Sequence, residues 1–305
     1  MSKSKKRNNP VMQLKSLIPS KSALVHFRFA FSFFLMPIYF FAISQASAIN
    51  TSHAILVFVI WHLFIYPASN GYNSYFDKDE GSIALVKNPP QVDISLYYTS
   101  LITELIGVLL SLFISLEFAV GTLIYGLLSK AYSHPVIRLK KYPITSFLVV
   151  FIFQGSFVYW TTLSAVSGES VMRLYNVNFI IAGLICSCLI GASYPLTQIY
   201  QHEEDQKRGD KTLSLLLGIK GTFMISAILF ATGASLLYVY WRNLNTIKNF
   251  WIFVGFALPV FAVFLNWLIK VLNDRQQANF KNMMRMTTIS GLSMLLYFLL
   301  LCFIK

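Results

Sequence analysis

Apolar residues run along this chain in long blocks separated by short polar stretches. A membrane span needs about 20 consecutive apolar residues, because each residue advances a helix by about 1.5 Å across a hydrocarbon layer of about 30 Å. Nine stretches meet or approach that length: 23–44, 53–72, 94–115, 116–131, 144–165, 176–197, 213–240, 249–271 and 285–304. In lipid a spanning backbone must satisfy its own hydrogen bonds, so each block reads as a helix. The pattern predicts an all-α, polytopic membrane protein: nine transmembrane helices bundled around a central cavity, with the N-terminus cytoplasmic. The fourth block is the shortest.

The positions of Lys and Arg give the orientation. With nine spans, the N-terminal arm and the connections after spans 2, 4, 6 and 8 share one side. That side holds all of the 25 Lys and Arg residues except Arg173, Arg242, Lys248 and Lys305. It reads as cytoplasmic, which places the C-terminus outside. Composition agrees, since 56% of the residues are hydrophobic and only 12% charged, against about 25% charged in soluble domains. The net charge of +13 suits an anionic cytoplasmic leaflet and membrane lipids as partners. No nucleic acid partner is expected, because no soluble domain remains to bind one. Residues 1–22, with Lys3, Lys5, Lys6, Arg7 and Lys15, read as a disordered basic arm, and 23–305 as a single transmembrane domain. The first apolar run lacks the short core and cleavage site of a signal peptide. The expected location is a bacterial inner membrane, with the active site facing the cytoplasm. Cys186, Cys188 and Cys302 lie inside apolar runs and read as packing thiols.

The acids change the picture most. The positive-inside rule does little for acids. Yet Asp77, Asp79, Glu80, Asp93, Glu203, Glu204, Asp205, Asp210 and Asp274, nine of the 12 acids, share the cytoplasmic side. Two clusters end apolar runs. In the first, Asn73 and Asp77 are i,i+4 neighbours on one helix face, Asn70 lies a turn earlier and Glu80 follows by three. In the second, Gln201 and Asp205 are i,i+4, with Lys207, Arg208 and Lys211 close behind. Mg²⁺ takes oxygen ligands, usually one or two carboxylates together with substrate phosphate and water. Each cluster taken alone also reads as a solvated loop of self-paired ions. Glu104 lies near the middle of span 3, where a carboxylate is costly; an acceptor pocket, a proton path and a protonated helix-bonded acid all fit it. Arg28, at the start of span 1, reads as a residue snorkelling to the interface.

The two clusters resemble the aspartate-rich motifs of the UbiA superfamily of intramembrane prenyltransferases, Asn-Asp-x-x-Asp-x-x-x-Asp and Asp-x-x-x-Asp followed by Gly-Lys-x-Thr-Leu. In the first frame this chain has Asn73, Ser74, Asp77 and Gly81; in the second it has Gln201, Asp205, Gly209, Lys211, Thr212 and Leu213. Tyr132-Ser-His-Pro135 with Arg138 and Lys140 is similar to a loop of the branch that alkylates homogentisate or chlorophyllide. Lys87-Asn-Pro-Pro matches a basic-Pro segment after the first motif. The resemblance spans about residues 24–290. It implies Mg²⁺-dependent transfer of a polyprenyl group from a prenyl diphosphate to an aromatic or lipid acceptor. By that resemblance Asp77, Asp79, Glu80, Gln201, Glu204 and Asp205 hold metal. Asn73, Lys87, Arg138 and Lys211 bind diphosphate, and Lys140 and Tyr132 act beside Asp77 and Asp205 in catalysis. Three positions depart from the motifs: Ser74, Gly81 and Gln201 stand where acids are expected. The alternatives are a catalytically degenerate relative that binds prenyl lipids, and a transporter built of two helical halves.

Overall fold

A computed structural model describes residues 17–78 and 81–304. Every apolar block is helical. The helices are α1 (Lys21–Phe34 and Met36–Gln45, bent by 43°), α2 (Thr51–Asp77), α3 (Ile94–Ser111), α4 (Leu116–Ser133), α5 (Pro143–Ser167), α6 (Val177–Arg208), α7 (Leu213–Asn243), α8 (Lys248–Asn273) and α9 (Phe280–Leu301). The expected count of nine spans is not confirmed. Among the described residues, seven helices are long and apolar enough to cross a membrane, or eight if the bent α1 counts as one. The remaining rod is α4, whose 18 residues include Glu117 and Lys130 near the two ends. The boundary of the basic arm also moves. Residues 1–16 lie outside the described residues, but Lys21 and Ser22, assigned to the arm, already belong to α1. Ser20 ties them down by donating its hydroxyl to Asp93 Oδ2 at 2.6 Å.

The polar breaks between blocks supply the caps. Asn50, Asp93, Ser115, Asn176, Thr212 and Asn279 each sit at a helix N-terminus and accept a hydrogen bond from a backbone N–H two or three residues on. The first four N–H groups of a helix have no partner within it, so short oxygen-bearing side chains gather there. Gly209, at φ 72°, ends α6 in the left-handed region that glycine tolerates best.

Between apolar helices in lipid, close packing replaces the hydrophobic drive. Phe41 of α1 stacks on Phe298 of α9 at 4.6 Å and meets Tyr159 of α5 at 5.1 Å. Trp61 of α2 meets Tyr125 of α4 at 5.3 Å. Two helices carry a π-helical stretch, Ile60–Ile65 in α2 and Val150–Ser156 in α5. In the second, the Ser156 N–H leaves its own helix and donates to Ser187 Oγ of α6 at 3.0 Å. Gly155 permits that contact, since a Cβ there would lie 2.4 Å from the Ser187 Cα. A backbone atom cannot swing aside, so Gly155→Ala is expected to cost about 1–3 kcal/mol by overpacking. Its checkable sign is a lower unfolding midpoint in detergent.

Candidate active site

α2 and α6 end at the same place, and their last turns line one polar cavity of about 240 Å³. From α2 come Asn70, Asn73 and Asp77, spaced three and four residues apart so that one helix face carries them all. From α6 come Tyr194, Gln198, Gln201 and Asp205 at the same spacing. Tyr132 and Ser133 of α4 and Lys140 of the α4–α5 connection close the side.

The charges are interlocked. Lys140, buried at 8% exposure, is ion-paired with Asp77 and has Asp210 Oδ2 at 3.6 Å. Arg138 adopts left-handed backbone angles (φ 45°, ψ 59°). It donates from Nε and Nη2 to the two Asp210 carboxylate oxygens, each at 2.8 Å, while its Nη1 lies 3.8 Å from Asp77 Oδ1. These hydrogen bonds to Asp210 lead in pushing the Arg138 guanidinium above its ordinary value. Asp205 is buried, and its Oδ2 has no hydrogen-bond partner in the protein. Tyr132 and Tyr194 share a hydroxyl hydrogen bond at 2.6 Å. Asn73 commits its amide nitrogen to Ser133 Oγ at 2.7 Å, which leaves its amide oxygen for a cation.

This donor set fits Mg²⁺ that is shared with a substrate. Among the described residues no three His, Cys, Asp or Glu side chains form a metal cage. The buried Asp205 with its unpartnered oxygen, Asp77 with a side chain 5% exposed, and the amides of Asn73 and Gln201 are the hard oxygen donors that Mg²⁺ takes when phosphate and water complete its shell.

A second cavity of about 420 Å³ lies deeper. Phe34, Leu35 and Ile38 of α1, Leu189 of α6, Phe230 of α7, Phe264 of α8 and Met294 of α9 line it. Phe31, Gln154, Tyr194 and Thr197 line both cavities, so the polar and apolar chambers share a wall.

The structure gathers Asn73, Asp77, Tyr132, Lys140, Gln201 and Asp205 at the cavity, with Arg138 fixed against Asp77 and Asp210. Lys87 and Lys211 are exposed and do not reach the cavity wall. Glu204 accepts the Gly81 N–H at 2.7 Å and has Arg208 at 3.7 Å, so it clasps the loop after α2 to α6. Asp79 and Glu80 lie outside the described residues. Arg28 differs from the snorkelling expected of it. Backbone angles in the left-handed region (φ 45°) turn it into the polar cavity, where it lies over the Phe31 ring at 5.6 Å and donates to the Asn70 carbonyl at 3.4 Å. Glu104 lines neither cavity and is ion-paired with Lys130 of α4. Ser129 and Tyr194 were not singled out by the sequence, and Asp210 and Arg208 were named only among the charges on that side, with no role in the site. For Asp210 a signal existed, as an acid directly after the helix-ending Gly209.

A profile of the UbiA prenyltransferase family matches residues 33–289. The chain belongs to the UbiA prenyltransferase family. Solved structures place the UbiA fold on nearly its whole length. A UbiA homologue from Archaeoglobus fulgidus bound to DMAPP and Mg²⁺ superposes with a TM-score of 0.68 at 15% identity, covering 93% of this chain and 100% of the other. The same homologue bound to GPP and Mg²⁺ gives 0.66 at 17%, over 92% and 99%. A digeranylgeranylglyceryl phosphate synthase gives 0.62 at 19%, over 93% and 99%. No curated protein matches the chain. As a UbiA-type membrane protein, it carries Asp77, Asp205 and Asp210 at one end of the bundle and an apolar chamber beneath them.

Proposed function

We propose that this protein transfers a prenyl group from a prenyl diphosphate to an aromatic or lipid acceptor, with Mg²⁺ and with its polar cavity facing the cytoplasm of a bacterial inner membrane. The observation that carries the reading is the shared wall. A chamber holding two buried aspartates, a buried lysine and a clamped arginine shares four wall residues with an apolar chamber, an adjacency that suits a charged head on a hydrocarbon tail. The relatives' bound DMAPP and GPP have that chemistry.

Asp77 and Asp205 would hold Mg²⁺, with Asn73 and Gln201 offering amide oxygens. When bound, Mg²⁺ neutralises the charge that builds on the leaving diphosphate. Lys140 and Arg138, both beside Asp77, offer positive charge to the same oxygens, and the Tyr132–Tyr194 hydroxyl pair offers a hydrogen bond. The bond from the prenyl C1 to the diphosphate oxygen breaks, with its electron pair leaving on oxygen. The acceptor atom then bonds to C1 and gives up a proton. Phe31 and Tyr194, on the shared wall, face the place where the allylic cation forms and shield it from water.

The test is incubation of the purified full-length protein with labelled prenyl diphosphates of several lengths, Mg²⁺ and a panel of phenols, quinone precursors and lipid alcohols. The expected result is diphosphate release coupled to a prenylated product, lost when EDTA removes Mg²⁺. No diphosphate release with any member of the panel would overturn the proposal.

A further inference from the structure

We propose that Asp210 is a positioning residue that holds Arg138 back from Asp77 and receives Lys140 when it leaves Asp77, so that a divalent cation can take Asp77. The inference rests on the functional reading above, in which Asp77 holds metal.

Asp77 Oδ1 is contested. The Lys140 ammonium is bonded to it, and Arg138 Nη1 stands at 3.8 Å. A divalent ion on that oxygen sits at about 2.1 Å, where Lys140 cannot keep its bond and its positive charge opposes the newcomer. Lys140 must leave, and a buried ammonium needs another anion nearby. Asp210 is that anion. Its carboxylate is 2% exposed, and its Oδ2 already lies 3.6 Å from the Lys140 Nζ. A small rotation of the lysine stem exchanges one aspartate for the other.

The same carboxylate deals with Arg138. Two parallel hydrogen bonds at 2.8 Å hold the guanidinium on Asp210, a geometry stronger and more directional than a single contact. Arg138 therefore stays beside Asp77 without closing on it. Asp210 is itself fixed, since its backbone N–H donates to the Asp205 carbonyl at 2.9 Å. The seat offered to Lys140 is thus tied to the helix that carries the second metal-holding aspartate.

The experiment titrates Mn²⁺ into the full-length protein in detergent and reads bound ion by electron paramagnetic resonance. Wild type is compared with D77N, D210N, K140M and the D210N/K140M double variant. Wild type should bind Mn²⁺ in a manner lost in D77N. D210N should bind on the order of tenfold more weakly, the scale of one charge-assisted contact. K140M, with the competitor removed, should bind more tightly than wild type. The double variant should recover most of the D210N loss, which a merely structural role for Asp210 does not predict. An intact Asp77-dependent signal with D210N equal to wild type, or with no recovery in the double variant, overturns this proposal alone. Absence of any Asp77-dependent signal in the wild type overturns the metal site and the proposal together.

Discussion

Asp205→Asn should reduce kcat/KM about 10²–10³-fold for whichever donor–acceptor pair the wild type turns over. The substitution keeps the shape and removes one charge. Asp205 is buried and its Oδ2 is unpartnered in the protein, so no hydrogen bond of the fold uses that oxygen. Electrostatic groups aimed at developing charge in a closed site are each worth about that factor. If Asp205 were instead a structural acid held by Lys140 and Arg208, the amide would mainly shift the unfolding midpoint. The decisive comparison is therefore kcat/KM against stability in the same preparation. A variant with near-normal turnover and lowered stability would remove Asp205 from the metal site.

Glu104→Ala should be the most destabilising single change outside that cavity, at about 3 kcal/mol, because breaking one partner of a buried ion pair leaves the other charge uncompensated. Glu104 is 7% exposed, and Lys130 reaches it from α4 while lying over the Tyr72 ring at 5.7 Å. Gly126 makes room for the carboxylate, since a Cβ there would come within 2.3 Å of Glu104 Oε1. The ion pair joins α3 to α4, the helix that delivers Tyr132 and Ser133 to the cavity. Replacing both charges together, Glu104→Leu with Lys130→Met, should recover most of the stability, as paired ions can be exchanged for apolar side chains of similar volume. Unfolding midpoints of the two variants decide it. A single substitution that leaves the midpoint unchanged would mean the ion pair carries no weight in the fold.

Much of this architecture is legible in the order of residues. Helices are written in the length of the apolar blocks, and their starts in Asn50, Asp93, Ser115, Asn176, Thr212 and Asn279. The face shared by Asn73 and Asp77, and by Gln201 and Asp205, follows from helical spacing alone. What pattern cannot carry is the direction of a side chain where the backbone leaves regular geometry. Arg28 is an example: read as a helical residue it snorkels, but left-handed backbone angles aim it inward. Pairing across distant helices is equally silent, which is why Glu104 showed no partner until Lys130 of the next helix came beside it. Lys87 and Lys211 mislead for the opposite reason. Each stands beside a motif-like segment in the sequence, yet nearness along the chain did not bring either to the cavity wall. The number of crossings stays open at α4, a helix of adequate length that carries charge near both ends.

The widened stretch Val150–Ser156 has a consequence for how the two chambers stay aligned. A π turn stores one surplus residue relative to an α-helix of equal rise. Deleting that residue would rewind the stretch as α-helix with the flanking turns kept in phase, whereas a deletion in the regular part of the helix rotates everything before it by about 100° relative to everything after. Gln154 and Val150 sit inside this surplus and face the cavities, while Lys140 and Arg138 hang from its upstream end. A one-residue deletion inside Val150–Ser156 should therefore be absorbed, while one elsewhere in α5 turns Lys140 and Arg138 relative to the aromatic wall and should be tolerated far less well than a substitution.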